Sequence, residues 1–351
     1  MFRFATAVGR QDVAVDLGTA NTVLYARSLG SLLSEPSVVA VDCHTGKLQG
    51  VGREAAKILD RGEIRAIRPL RDGVIADLTA TEQMLRCLID RVYPRRWPRP
   101  RVLASVPTGV SEVEQCAVAE ACLSAGARKA YLIEKPVAAA LGAGLPVGQP
   151  TGSMVLELGA GSSEVALISM GSVVMSRSLR VGATSSIWRS PGTSSATTGC
   201  TSAPARLSGS SSRSARHPRT EAETRLPVSG HEITTELLKT VPLTGEEIRC
   251  VVDKPLSRII TAVIETLDRT PPALGADVIE HGITLTGGGS LLRGLAHRLR
   301  SETGMTARVA PSPQTCIVLG SAKVLASLED VPRSRSSARH ELALATPVAF
   351  S

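Results

Sequence analysis

The sequence predicts an α/β fold built from two similar halves that face each other across a cleft. Short β-branched runs alternate with helical patterns through the first half of the chain, as is typical of α/β proteins. A strand–turn–strand unit near the start recurs near the middle, which indicates a duplicated unit. The 351 residues, 43% of them hydrophobic, suffice for two domains of roughly 150 residues each.

The first half contains a series of strand-like runs and two helices with clear boundary signals. The runs are bounded by Gly, Ser and Asn and lie at 13–17, 22–26, 37–42, 101–107 and 130–133. Ser111 and Glu114 have the spacing of a capping box, so a helix is expected from there to about Ala125. Pro136 suits the first turn of the next helix.

The repeated unit places an acidic residue and a turn of small residues at the end of a strand. Its copies are "VAVDLGTANTVLYARSLGSLL" at 13–33 and "MVLELGAGSSEVALISMGSVV" at 154–174, and a β-meander is expected over 154–179. Small side chains let backbone N–H groups approach an anion closely. Together the copies predict a phosphate clamp with one metal-binding carboxylate, Asp16 or Glu157, from each side. The alternative is two ordinary hairpins.

Two patterns follow residue 221. Thr244 and Glu247 form a second capping box, and an apolar stripe at helical spacing runs from there to Leu267, with a kink expected at Pro255. We interpret this stripe as core. "GITLTGGGSLLRGL" at 282–295 predicts a strand, a triple-glycine turn and a helix, which bring backbone against a flat ligand or a phosphate.

Composition and charge narrow the function classes. The seven cysteines form no C-x-x-C pair and the six histidines do not cluster, which argues against a zinc site and for reduced thiols in a cytoplasm. The net charge of +8 is concentrated in two basic runs, at 91–101 and 185–220. Such runs face anionic lipid, an acidic partner or solvent. Nucleic acid is not expected, because the basic segments carry no recognisable nucleic-acid-reading motif.

Five segments together closely resemble the MreB family of bacterial actin-like rod-shape proteins. They are "DLGTANTVLY", "SEPSVVA", "IRPLRDGVIAD", "GAGLPVGQPTGSMV" and "LTGGGSLLRGL", and the resemblance covers about 1–182 and 221–329. It implies the actin-like ATPase fold, with duplicated ribonuclease-H-like domains around a cleft that holds ATP and Mg²⁺. It further implies filaments of self or paralogous subunits that organise the cell-wall synthesis machinery beneath the cytoplasmic membrane.

The resemblance also implies a domain division. Domain I is expected at 1–145, with a small subdomain at about 30–75, and domain II at 146–330. The last residues, 331–351, are expected to form a flexible tail.

Matching motifs assign the residues of the nucleotide site. Asp16 and Glu157 are expected near the Mg²⁺, through water. The phosphate and nucleoside contacts are expected from Gly18, Thr19, Ala20, Asn21, Gly159, Ala160, Gly161, Ser162, Gly287, Gly288, Gly289, Ser290 and Leu291.

Two departures from the family pattern bear on catalysis. The second loop reads "ELGAGSS" where the family has D-I-G-G-G-T-T, so Glu157 is one methylene longer than the usual carboxylate and Ala160 adds a Cβ. "IEKP" stands where the family has I-E-E-P, so Lys135 replaces the glutamate that orients the attacking water, and Glu134 is one residue off. An ammonium cannot accept a proton. The sequence therefore predicts nucleotide binding with slow or absent hydrolysis, and leaves open whether the chain is an enzyme.

A third departure is the segment 185–220, which holds eleven serines, five threonines and five arginines and cannot bury a core. Either it is a linker or its reading frame is shifted. Codons for 183–188 and 201–214, read one base out of frame, can encode DEFDL and IGTSTAERLKLEI, similar to the family motifs R-I-G-G-D-x-F-D and T-A-E-R-I-K-x-E-I-G. A frameshifted segment at about 183–217 would disrupt the small subdomain of the second half.

The resemblance places the protein at the inner face of the cell membrane, as a cytoplasmic, peripheral protein. Trp97, in the basic loop "YPRRWPRPRV", suits an anionic headgroup layer, and Phe2 and Phe4 form a second anchor. A buried Trp97 and an unstructured start are the alternatives. Other functions remain open: an inactive or regulatory MreB-like product, or a sugar kinase or chaperone-type ATPase of the same superfamily.

Overall fold

The structure is a computed structural model that describes residues 12–58, 63–93, 98–182, 200–202, 226–232 and 238–328. Several sequence predictions lie outside the described residues: those on Phe2, Phe4, Trp97, most of 185–220 and the tail 331–351.

The first half of the chain contributes one large sheet and four α-helices to the described structure. The strands are β1 (Asp12–Leu17), β2 (Asn21–Ala26), β3 (Ser31–Pro36), β4 (Val39–Asp42), β5 (Leu48–Val51), β6 (Ile64–Ile67), β7 (Leu70–Arg71), β8 (Val74–Ile75), β9 (Arg101–Val106) and β10 (Lys129–Glu134). The helices are α1 (Arg53–Lys57), α2 (Leu78–Val92), α3 (Glu112–Ser124) and α4 (Lys135–Ala143). The large sheet has the order β10-β9-β1-β2-β3.

The second half repeats this plan. Its strands are β11 (Ser153–Leu158), β12 (Ser163–Ser169), β13 (Ser172–Leu179), β14 (Cys200–Ser202), β15 (Leu226–Glu232), β16 (Leu238–Leu243), β17 (Ile283–Thr286) and β18 (Ala307–Val309). Its helices are α5 (Gly245–Asp268), α6 (Pro272–His281), α7 (Leu295–Thr303) and α8 (Cys316–Ser327). Its large sheet has the order β13-β12-β11-β17-β18.

The two large sheets have the same topology. In each, three consecutive strands form an antiparallel meander, and the first strand of the meander also pairs in parallel with a later strand. β1 and β11 are therefore equivalent strands, each at the centre of its sheet, as the sequence repeat predicts.

Smaller sheets accompany each half. The order β5-β4-β6 places a three-stranded sheet inside the expected subdomain at 30–75, and β7 pairs with β8. In the second half β14, β15 and β16 form an antiparallel sheet. One strand of it, Cys200–Ser202, lies within the serine-rich segment that the sequence predicts to be irregular.

Local boundary signals behave as predicted in several elements. Ser111 caps α3 in a complete capping box with Glu114. Pro136 lies in the first turn of α4. α5 continues through Pro255, and its apolar stripe contributes Ile259 and Val263 to the core of the second sheet.

Helices α4 and α8 pack between the two large sheets. A buried cluster joins Leu103 and Ile133 of the first sheet to Val155 and Ile168 of the second, together with apolar residues of both helices. α8 also places Val318 against Ala14 and Val23 of the first sheet. The two halves therefore share one apolar layer.

Glycines let α4 and α8 approach closely. A Cβ at Gly142 would overlap the carbonyl oxygen of Cys316, and a Cβ at Gly320 would overlap that of Ala138. The crossing therefore requires glycine at both positions.

Two described arginines of the basic run at 91–101 form ion pairs within the protein. Arg101 is fully buried and forms a bidentate ion pair with Asp12, at 2.8 and 2.9 Å. Arg91 donates to Glu54 at 2.9 Å. Arg91 and Arg99 are exposed.

Candidate functional site

The turns that follow β1 and β11 meet in a cleft between the two halves. A Cβ added to Gly161 would lie within 3.0 Å of the Thr19 side chain, so the two turns are in contact. The β7–β8 turn joins them, because the Gly73 N–H donates to Thr19 Oγ1 at 3.0 Å and a Cβ at Gly73 would lie 2.9 Å from Ser162 Oγ.

The first turn begins at Asp16, near the end of β1. Its Oδ1 accepts a hydrogen bond of 2.9 Å from Ser105, the residue beside it on the parallel strand β9. Ser37 fixes the turn from outside: its Oγ donates to Gly18 O at 2.6 Å and its N–H donates to Ala20 O at 2.8 Å. Asn21 is exposed at the start of β2.

The second turn begins at Glu157, which is buried near the end of β11. The turn is closed by a hydrogen bond of 2.9 Å from Gly159 N–H to Ser162 O. This bond uses the Gly159 N–H within the turn, so that group is not free to bind an anion. Ala160 is half-buried, and a Cβ at Gly182 would overlap its carbonyl oxygen.

The triple-glycine turn lies beside the second turn. Gly287 has a φ of 78°, and a Cβ there would lie 2.8 Å from Glu157 Oε1, so this position favours glycine. Ser290 is buried and donates to Gly287 O at 2.7 Å. Gly288 and Leu291 are exposed, and Gly289, between Gly288 and Ser290, is partly buried.

Lys135 brings a positive charge into this cleft. Its Nζ lies 3.3 Å from Asp16 Oδ1 and donates to Leu17 O at 3.2 Å, and the residue is 5% exposed. Burial disfavours the ammonium, but the nearby acidic side chains, Asp16 above all, outweigh it, so the pKa of Lys135 is raised. The ammonium is therefore charged at neutral pH.

The glutamates of the cleft have high pKa values. Burial raises the pKa of Glu157 to about 8, against the opposing effect of Lys135. Burial also raises the pKa of Glu164 to about 7, although a hydrogen bond from the Thr108 backbone lowers it. Burial likewise raises the pKa of Glu134, the N-cap residue of α4. Burial therefore favours the protonated form of Glu157.

Two residues of the site, Glu164 and Thr108, are not predicted from the sequence. Glu164 is 2% exposed on β12 and accepts a hydrogen bond of 2.7 Å from the Thr108 N–H, as well as one from the Thr108 hydroxyl. Because Thr108 follows β9 of the first sheet, this contact joins the two halves. The one sequence feature that could have indicated Glu164 is its position as a single carboxylate in the apolar run "EVALIS".

The charges of the cleft do not fit the predicted Mg²⁺ between Asp16 and Glu157. Mg²⁺ requires oxygen ligands, usually one or two carboxylates with water and phosphate oxygens. Here the Lys135 ammonium already lies 3.3 Å from Asp16 Oδ1, in the place where a cation would meet that carboxylate. Among the described residues, no group of three or more His, Cys, Asp or Glu side chains is arranged to hold a metal ion.

The cleft lies between two equivalent sheets whose central strands, β1 and β11, end in facing turns. The sequence profile described as MreB/Mbl protein matches residues 10–186 and 211–333. The chain belongs to the MreB/Mbl family. The interruption of the match, at 187–210, falls in the serine-rich segment of this MreB/Mbl chain.

Two relatives support the assignment. Over 340 residues the chain is 39% identical to the cell shape-determining protein MreB of Escherichia coli strain K12, covering 91% of this chain and 94% of that protein. MreB5 of Spiroplasma citri, bound to AMPPNP, has a similar structure, with a TM-score of 0.81 and 30% identity over 90% of this chain and 96% of that one.

The fold, though not the detailed sequence, is also similar to that of MamK. A MamK double helical filament matches with a TM-score of 0.76 and 16% identity, over 91% of this chain and all 100% of that one. The chain therefore has the actin-like fold that the resemblance implies. Within the described residues no helix combines the length and the apolar character needed to cross a membrane.

Proposed function

We propose that this MreB-family chain is a cytoskeletal protein that binds ATP in the cleft between its halves and assembles into filaments. The observation that carries the proposal is the meeting of three turns built of small residues, at Thr19, Gly161 and Gly287, around one cleft. Backbone N–H groups in such turns bind phosphate. A relative with a similar structure, MreB5, is described bound to AMPPNP.

The proposed contacts follow the three turns. Turns 18–21 and 159–162 would hold the phosphates, and turn 287–291 would contact the nucleoside. Since the Gly159 N–H is used within its own turn, other groups of these turns would supply the phosphate contacts.

Hydrolysis would be slow in this chain. Lys135 stands where the family motif has a glutamate, and its ammonium is held against Asp16 and the Leu17 carbonyl. A charged ammonium cannot take a proton from an attacking water. Glu134 precedes Lys135 as the N-cap residue of α4, one position before the glutamate of the family motif.

Phosphate release from ATP by the purified chain tests this part of the proposal. We expect little release from the unmodified protein and a rise of at least about tenfold in Lys135→Glu, which returns a carboxylate to that position. Phosphate release by the unmodified protein as fast as that of an active MreB, assayed in parallel, would refute slow hydrolysis.

Assembly is expected with copies of this chain or with MreB paralogues, at the cytoplasmic surface of an anionic membrane and with the wall-synthesis machinery. Cell shape is the role named for the Escherichia coli relative. Sedimentation with and without ATP, alone and with a paralogue, tests assembly. Pelleting with anionic but not neutral liposomes, reduced by Trp97→Ala, tests the membrane contact.

Lys135 favours a second candidate function. A subunit that binds ATP without hydrolysing it would join filaments of an active paralogue and slow their turnover. Filaments that disassemble more slowly when this chain is mixed with a paralogue would distinguish this regulatory role from independent assembly.

A further inference from the structure

Lys135 provides a fixed cation at the acidic end of the cleft. Its ammonium is buried, lies 3.3 Å from Asp16 Oδ1 and donates to Leu17 O at 3.2 Å. Because Lys135 is the first residue of α4 and follows β10 directly, its backbone is held between a strand and a helix. The charge is therefore tethered in place.

The replacement of glutamate by lysine changes the local charge by two units. A polyphosphate brought close to carboxylates requires a positive charge between them, because like charges repel strongly in a site shielded from water. In most nucleotide sites a divalent cation supplies that charge. Here an ammonium occupies the position beside Asp16, and a divalent cation at the same carboxylate would be repelled by it.

We propose that the Lys135 ammonium takes the place of Mg²⁺ as the counter-charge to the nucleotide phosphates, so that this chain binds ATP without a divalent cation. The inference rests on the proposed ATP site. A lysine ammonium has three donors, so it can contact phosphate oxygens while it remains beside Asp16.

Isothermal titration calorimetry tests the inference: ATP is titrated into the full chain in the presence of Mg²⁺ or of EDTA. For the unmodified protein we expect dissociation constants that differ by less than about threefold between the two conditions. Lys135→Glu should weaken binding in EDTA by about tenfold or more, and Mg²⁺ should restore it. Lys135→Gln should also weaken binding in EDTA, since it removes the charge and retains an extended polar side chain.

Lys129→Glu is the matched control. Lys129 is exposed at the other end of the same strand, β10, and the substitution makes the same change of charge. It should leave the affinity for ATP unchanged in both conditions.

The outcomes separate the inference from the proposed function. ATP binding that requires Mg²⁺ in the unmodified protein would overturn the inference and leave the ATP site standing. Absence of ATP binding in both conditions would overturn both. The measurement on the unmodified protein needs no variant, so it decides the question even where a substitution impairs folding.

Discussion

Arg101 shows how one residue joins distant parts of the chain. Its guanidinium pairs with Asp12 and also donates to the carbonyl oxygens of Leu325 and Leu328 at the end of α8, at 3.3 and 3.0 Å. It therefore connects two strands of the first sheet to a helix from the second half. The planar guanidinium has five hydrogen-bond donors and can reach all of these acceptors at once, whereas a lysine ammonium has only three donors.

Replacing Arg101 should be strongly destabilising. Arg101→Met leaves the Asp12 carboxylate buried without its partner, so we expect a loss of about 3–5 kcal/mol in the free energy of unfolding. Urea denaturation followed by circular dichroism measures it. The control is Arg99→Met, at an exposed arginine nearby, which should change the free energy of unfolding by less than about 0.5 kcal/mol. Equal losses in both variants would contradict the buried ion pair.

Glu157 should make stability depend on pH. Burial raises its pKa to about 8, whereas the carboxyl of the unfolded chain titrates near the ordinary value of 4.5. Between these values the folded state binds more protons than the unfolded state, so the free energy of unfolding falls as pH rises through this window. Glu157→Gln should remove this fall, which is on the order of 3 kcal/mol.

Urea denaturation at pH 5.5 and 8.5 compares the two proteins. Glu280→Gln, at an exposed glutamate on α6, provides the control. The same pH dependence in the unmodified protein and in Glu157→Gln would contradict a protonated Glu157 in the fold.

Residue types alone could predict some of these roles and not others. The roles of Asp16 and Glu157 can be predicted, because each lies near the end of a strand and before a turn of small residues. The roles of Glu164 and Arg101 cannot be predicted in this way. Glu164 lies 56 positions from its partner Thr108, and Arg101 lies 89 positions from its partner Asp12. A pattern in one segment shows that a charge lies in an apolar run, but it does not show what satisfies that charge.

At the scale of elements, the crossing of α4 and α8 depends on glycine. Gly142→Ala places a Cβ against the Cys316 carbonyl, where the neighbour is backbone and cannot move aside easily. We expect a loss of about 1–3 kcal/mol in the free energy of unfolding. Thermal and urea denaturation measure it.

Gly275→Ala is the matched control for this prediction. Gly275 lies inside α6, and its Cβ would meet nothing closer than Thr270 Cγ2 at 3.7 Å. It should stabilise the protein by up to about 1 kcal/mol, because alanine favours the helix. A loss of stability in both variants would mean that helix propensity and crowding are not the deciding factors.

Elements were predictable where local signals define both ends, as for α3 with its capping box. The sheet formed by β14, β15 and β16 was not, since Cys200–Ser202 lies in a segment without apolar periodicity. The interruption of the family match at 187–210 agrees with the altered composition there.

The nucleotide sequence of the gene tests the hypothesis that the segment at about 183–217 is frameshifted. We expect codons 180–222 to carry two compensating single-base changes, one near each end of 183–217, relative to the frame that encodes the family motifs. Resequencing of this region measures it. An unbroken frame that encodes the serines, with no family motif one base away, would contradict the hypothesis.

At the scale of the whole molecule, each half contributes a helix to a layer between the two sheets. Val318 and Ala322 of α8 pack on the first sheet, and Val137 and Ala140 of α4 lie in the cluster that includes Val155 of the second. The Glu164–Thr108 contact adds a polar connection across the cleft. Neither half can open fully without exposing apolar residues of the other.

The two large sheets should therefore unfold together. Native-state hydrogen exchange in increasing urea, followed by mass spectrometry, should give opening free energies for β1 and β11 that agree within about 1 kcal/mol. Gly320→Ala, which crowds the same helix crossing, should lower both by the same amount, and Gly275→Ala should lower neither. If β11 opened at lower urea than β1, the shared layer would not couple the halves, and each would be an independent folding unit.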